Sequence, residues 1–103
     1  MAIGHIMQHP TAGKEDYVQV MEHLRGTGPV PPEGARLVLS GPAEPGWRVI
    51  TVWGTRTELD RFFAERLRPA YEHAGLSLDG AQRTFFEVHS LTAGDLVGAA
   101  QGA

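Results

Sequence analysis

The 103-residue sequence predicts an α+β domain of β-α-β-β-α-β order, with one four-stranded antiparallel sheet and two helices on one face. Three observations carry that prediction. Four β-rich runs and two segments of helical period follow one another in this order. The middle two β runs are joined by "GPAEPG", Gly41 to Gly46, a turn suited to neighbouring antiparallel strands. The second helical segment opens on a capping box directly after the strongest strand of the chain. No internal repeat of helical-repeat length interrupts the pattern.

Ala2 to Gln8 alternates weakly and is rich in Ile and Met, which reads as a first strand. Pro10 ends it, because proline cannot donate to a ladder. Thr11 is the expected N-cap of the helix that follows. From Lys14 to Arg25, Tyr17, Val20, Met21 and Leu24 recur at helical spacing, and Gly26 stands where a C-terminal cap is wanted. "GTGPVPPEG", Gly26 to Gly34, is a loop by composition, and Pro29, Pro31 and Pro32 make it a stiff flap. Those prolines also remove the N–H groups a phosphate cradle would need.

"ARLVLS" is the second strand and "WRVITVW", Trp47 to Trp53, the third, rich in β-branched and aromatic residues. Thr55 and Glu58 form the capping box that starts the second helix near Arg56. Leu59, Phe62, Phe63, Leu67, Ala70, Tyr71 and Ala74 continue on one face until Gly75. Pro69 falls within this run and is expected to kink the helix or divide it near Arg68. Gln82 to Leu91 is the last strand. Residues 1–91 thus form one domain, and the Ala- and Gly-rich stretch 92–103 is expected to be a flexible tail.

Composition excludes several classes of function. The absence of cysteine removes disulfides, thiolate catalysis and Cys-ligated metal sites. The formal net charge is −3, and eight Arg and one Lys, Lys14, are scattered without a basic stripe, so nucleic acid is not an expected partner. No apolar run is long enough for a transmembrane helix, and the first ten residues do not read as a signal peptide. A cytoplasmic protein that contacts no membrane is the expectation.

Both faces of the strands are largely apolar. Trp47, Val49, Thr51 and Trp53 share one face of the third strand, and Ile50 and Val52 lie on the other. Two helices cover only one face of a sheet. A second copy of the chain is the simplest cover for the other, so a homodimer is expected.

The β-α-β-β-α-β order, the "VITVWGTRTELDRFF" strand–turn–helix and the "RLRPAYEHAGL" helix end resemble the dimeric α+β barrel superfamily, a ferredoxin-like fold. Within it they are similar to antibiotic biosynthesis monooxygenase-like small proteins. The resemblance covers Ala2 to Leu91. It implies a homodimer whose two sheets form a barrel, with a small-molecule cavity between each sheet and its own helices.

His5 and His89 fall inside predicted strands that this topology makes antiparallel neighbours. They are the candidate catalytic pair, able to act as acid and base or to polarise a bound phenol. His5 is the favoured base, with Ile3, His5 and Met7 pointing to the barrel interior and the small Ala2 and Gly4 pressed against the helices. Hydrogen-bonded strand histidines would explain the same residues without chemistry. Thr51, Trp53, Tyr71 and Phe86 are the candidate substrate-binding residues. Core packing is the alternative explanation for the aromatic residues.

An inward Arg36, Arg48 or Arg83 could stabilise an enolate or phenolate. No metal site is expected, since His5 and His9 on one strand would stand about 13 Å apart. His73 is the nearest match to the axial His of haem-degrading relatives. Phe62 stands where those enzymes carry Trp, however, and the first strand has no Asn, so no cofactor is expected. Two functions follow: an enzyme that oxygenates an aromatic or polyketide-like molecule without a cofactor, or a non-catalytic dimer that binds a ligand or partner.

Overall fold

The computed structural model describes residues 2–92. Strand β1 (Ile3–His9) leads to helix α1 (Lys14–Thr27), then strands β2 (Ala35–Pro42) and β3 (Trp47–Trp53). Helix α2 (Arg56–Phe62) runs through a π-helical turn, Phe63–Leu67, into α3 (Arg68–His73), and β4 (Gln82–Glu87) closes the sheet. The four strands lie in the order β2-β3-β1-β4, all antiparallel, with β1 central. This is the split βαβ arrangement the sequence predicts. Among the described residues no helix is long and apolar enough to cross a membrane. The tail expected over 92–103 lies, apart from Thr92, outside the described residues.

Register decides which side chains meet. His5 pairs with Thr51 on one side and Phe85 on the other, and Met7 pairs with Val49 and Arg83. Paired residues of an antiparallel ladder share a face. That face meets the helices: His5 packs edge-on against Phe63, and Trp53 lies 5.2 Å from Phe62. The orientation expected for β1 is therefore reversed. Ile3, His5 and Met7 turn toward the helices, and Gly4 and Ile6 turn away. The reason is on β4. The Phe86 ring lies over the Gly4 backbone on the open face, where any Cβ at position 4 would overlap it. Gly4 is small to admit a neighbouring strand's aromatic ring, not a helix.

The core between sheet and helices gathers Met7, Val20, Leu24, Phe63, Ala70, Tyr71 and Leu78. Trp53 is fully buried beside it.

The helix ends follow local chemistry. Thr55 Oγ1 accepts the Glu58 N–H at 3.2 Å and donates to Glu58 Oε1 at 3.1 Å, so Thr55 is the N-cap as predicted, with Glu58 bonded to its hydroxyl in place of the backbone N–H of a full capping box. Thr11 is not the cap of α1. Its hydroxyl lies 3.2 Å from His9 Nδ1, and Gly13 is the N-cap, its N–H held by Asp16 Oδ2 at 2.9 Å. Gly75, at φ +81°, ends α3 as expected: Leu76 N–H reaches back to Tyr71 O at 2.9 Å in a Schellman closure. Pro69 divides the α-helical run near Arg68, as expected: a π turn over Phe63–Leu67 separates α2 from α3, which begins at Arg68 with Pro69 in its first turn. The turn before it widens, with Arg68 N–H bonding Phe63 O five residues back and the backbone staying right-handed. A π turn accommodates a residue that can neither donate to the ladder nor tolerate a carbonyl close to its ring.

Candidate functional site

Between the helix-facing side of β2 and β3 and the helices lies a cavity of about 660 Å³. That volume is typical of small-molecule sites. One wall is sheet (Val38, Val49, Thr51, Trp53), the opposite wall is α1 (Tyr17, Val20, Met21, Leu24), and Tyr71 of α3 and Phe62 of α2 close one end. Val30, Pro31 and Pro32 of the Pro-rich loop line the mouth, where the stiff flap was expected. The loop is tied down by Arg66 on the π turn. Its Nη1 donates to Pro29 O at 2.9 Å and its Nη2 to Leu24 O at 2.9 Å.

The space is largely apolar; Tyr17, Arg25, Arg36 and Ser40 line it too, and three polar side chains, His5, Thr51 and Tyr71, are buried in its wall. Thr51 is buried, and its Oγ1 accepts the Trp53 indole N–H at 2.8 Å, which leaves the hydroxyl proton free. Tyr71 is also buried, and its hydroxyl has no hydrogen-bond partner among the described residues. Burial, with Tyr17 and Asp16 nearby, pushes its phenol well above the ordinary tyrosine range, so it keeps its proton.

His5 is 3% exposed. Its ring stacks on Phe85 at 4.9 Å, and its Nε2 accepts the Arg83 Nε–H at 3.0 Å. Burial first, then the Arg83 and Arg56 guanidiniums, hold its pKa down to about 4, with Asp60 opposing them. His5 is neutral at pH 7. Since Nε2 accepts, the proton sits on Nδ1, which has no partner among the described residues.

The structure brings His5, Thr51, Trp53 and Tyr71 to one cavity. It does not bring His89 or Phe86 there. Strand β4 ends at Glu87, followed by one more bond between the two chain segments, Val88 N–H to Ala2 O at 2.9 Å; His89 is exposed beyond that end. Since Phe85 is the residue opposite His5, His89 is four residues along, about 13 Å away, and the two cannot form a pair. Phe86 lies on the opposite face of the sheet, 45% exposed.

His9 is fully engaged in holding the chain together. Its Nε2 donates to Ser77 O at 2.9 Å, and its Nδ1 accepts from Thr11. The His73 ring lies 4.8 Å from that of His23 of α1, tilted against it, and does not line the cavity. Among the described residues no group of three His, Asp or Glu is placed to hold a metal ion.

Of the three strand arginines, Arg48 bonds Gln8 on the open face and Arg36 sits in a β-bulge at the cavity edge. Arg83 is the inward one. Its guanidinium lies 3.6 Å from the Phe63 ring centroid and 4.9 Å from that of Phe85. The sequence signal for it was the register of "QRTFFE": position 83 shares a face with Phe85 and, across the ladder, with Met7.

The fold is shared with solved proteins. No protein-family model matches the sequence, and no curated protein matches it significantly. The chain is similar in structure to a dimeric ferredoxin-like protein of unknown function from Jannaschia sp. CCS1, with a TM-score of 0.56 and 14% identity over 85% of this chain and all of the other. It is likewise similar to a "putative antibiotic biosynthesis monooxygenase" from Deinococcus radiodurans, with a TM-score of 0.54 and 19% identity over 90% of this chain and 97% of the other. These likenesses place the chain in the ferredoxin-like fold that the sequence resemblance implied.

Proposed function

We propose that this protein is a homodimeric enzyme that oxygenates a flat, apolar aromatic molecule in the cavity between sheet and helices, using no cofactor. The observation that carries the reading is that His5, Thr51 and Tyr71 line one largely apolar cavity of about 660 Å³, each with a donor its own contacts leave unused: the His5 Nδ1–H and the two hydroxyl protons. Preorganised donors in a water-poor site stabilise negative charge as it develops on a substrate oxygen. A phenol or ketone whose ring ionises to an enolate or phenolate would be held there as its reactive form. Dioxygen is then reduced by the substrate itself. A ring CH₂ carbon takes one oxygen atom as a carbonyl, and the second oxygen atom leaves as water with the two hydrogens. In this scheme His5 donates a hydrogen bond rather than taking a proton, because its Nε2 lone pair is occupied by Arg83.

The likeness to the Deinococcus radiodurans protein supports the oxygenase class, and the likeness to the dimeric Jannaschia protein supports assembly. So does the open sheet face, where Leu39 and Phe86 are 46% and 45% exposed beside Ile6 and Ile50. A second copy laid sheet on sheet would cover them.

The test is oxygen uptake with an anthrone, a tricycle whose central CH₂ is flanked by two aromatic rings. The expected result is uptake of one O₂ per quinone formed, above the rate without protein. The engaged lone pair of His5 also favours a second reading, a ligand-binding dimer without turnover. Binding of the anthrone with no acceleration of oxygen uptake would decide for it.

A further inference from the structure

Arg83 is the one inward-facing arginine of the sheet, and it has no carboxylate partner among the described residues. The arginines on either side do: Arg56 pairs with Asp60 at 2.9 Å and Arg68 with Asp79 at 3.3 Å. Arg83 instead lies over the Phe63 ring, and its Nε–H points at His5 Nε2. Its Nη2 is buried without a partner. Desolvating part of a guanidinium to reach a neutral imidazole is costly, and an ordinary strand arginine would be solvated. The imidazole is clamped as well, stacked on Phe85 at 4.9 Å and edge-on to Phe63 at 6.4 Å.

We infer that Arg83 is a positioning residue that fixes His5 as the Nδ1–H tautomer, so that His5 meets the cavity as a hydrogen-bond donor and selects molecules that present an oxygen acceptor. The selection of ligands rests on the proposed use of the cavity; the tautomer does not. Which ring nitrogen of a histidine carries the proton is set by the bond the other one makes. Arg83 can only donate, so Nε2 can only accept, and Nδ1 must hold the proton. The low pKa of His5 agrees with this arrangement, since a second proton on Nε2 would face the Arg83 charge. A neutral imidazole with no such partner favours the Nε2–H form in water. The cavity would then meet a lone pair at Nδ1 and would repel an enolate or phenolate oxygen instead of holding it.

The experiment has two arms. In the first, long-range ¹H–¹⁵N spectra of histidine-labelled protein at pH 7 are read for His5. The expected pattern is a protonated Nδ1 and an unprotonated Nε2 in the wild type and in Arg83→Lys, which keeps a donor. Arg83→Met should convert His5 mainly to Nε2–H. Nε2–H in the wild type, or an unchanged pattern in folded Arg83→Met, overturns the inference. Should Arg83→Met not fold, the wild-type and Arg83→Lys spectra decide alone.

In the second arm, binding of 1-naphthol and of naphthalene is compared. Arg83→Met should weaken 1-naphthol at least 10-fold and naphthalene less than 2-fold. Equal weakening of both overturns the selectivity. If wild-type protein binds neither probe, the cavity reading fails and with it the selectivity, while the spectra still decide the tautomer.

Discussion

Replacing Thr51 with Val exchanges a hydroxyl for a methyl at nearly constant volume, at the point where Trp53 Nε1 donates to Thr51 Oγ1 at 2.8 Å. Trp53 is fully buried and Thr51 is 8% exposed, so water cannot replace the lost acceptor. Leaving a buried N–H unpartnered costs roughly 1–3 kcal/mol. The new methyl group, set in an apolar wall, returns less than about 1 kcal/mol. A net loss of about 1–2 kcal/mol is expected. In a domain of this size each kcal/mol lowers Tm by roughly 4–8 °C, so Thr51→Val should melt about 5–15 °C below wild type. Calorimetry at one fixed protein concentration is the assay, because assembly makes Tm depend on concentration. Thr51→Ser keeps the acceptor and should lose less. If Thr51→Val melts within about 1 °C of wild type, or above Thr51→Ser, the hydrogen bond is not the reason Thr51 stands there.

Removing the cap with Thr55→Ala should cost about 1 kcal/mol, seen as a lower urea midpoint at constant slope; no shift would mean that the Glu58 N–H finds another acceptor. His5 makes stability depend on pH. Its pKa is about 4 folded against 6.5 unfolded, so between these values the unfolded chain binds the extra proton and stability rises with pH. As pH falls from 6.5 to about 4, on the order of 3 kcal/mol should be lost, and His5→Phe should remove most of that slope. The same slope in the variant would place the titration elsewhere. Phe86→Glu puts a charge on the open sheet face and should yield monomer or unfolded protein in light scattering; an intact dimer would show that this face is not the interface.

The fold was legible because local signals agree with the global arrangement. The Trp47 to Trp53 strand, the Thr55 cap and Gly75 each say one thing, and the structure uses each as read. The faces of β1 were not legible. β3 is apolar on both sides, so periodicity could not choose, and Gly4 suggested a helix contact when it serves the Phe86 ring. The end of β4 was overrun: "VHS" has strand character, but after Glu87 only the Val88 N–H to Ala2 O bond follows. That removed His89 from the site. Thr11 failed as a cap because His9 takes its hydroxyl, a contact set by the β1 register and not by the helix. The placement of His5 beside Thr51 on one face of the sheet followed from the topology. Arg83 could be placed inward only once its ladder partner was known to be Met7.

The proposed function requires a cavity that receives an apolar molecule through one oxygen. Calorimetric titration of the wild-type protein with 1-naphthol tests this most directly, beside Val49→Trp, which fills the sheet wall of the cavity. One site per chain, a negative heat-capacity change from apolar burial, and no binding to a folded Val49→Trp are expected. Absence of binding to wild type, or equal binding to the filled variant, would contradict the proposed function.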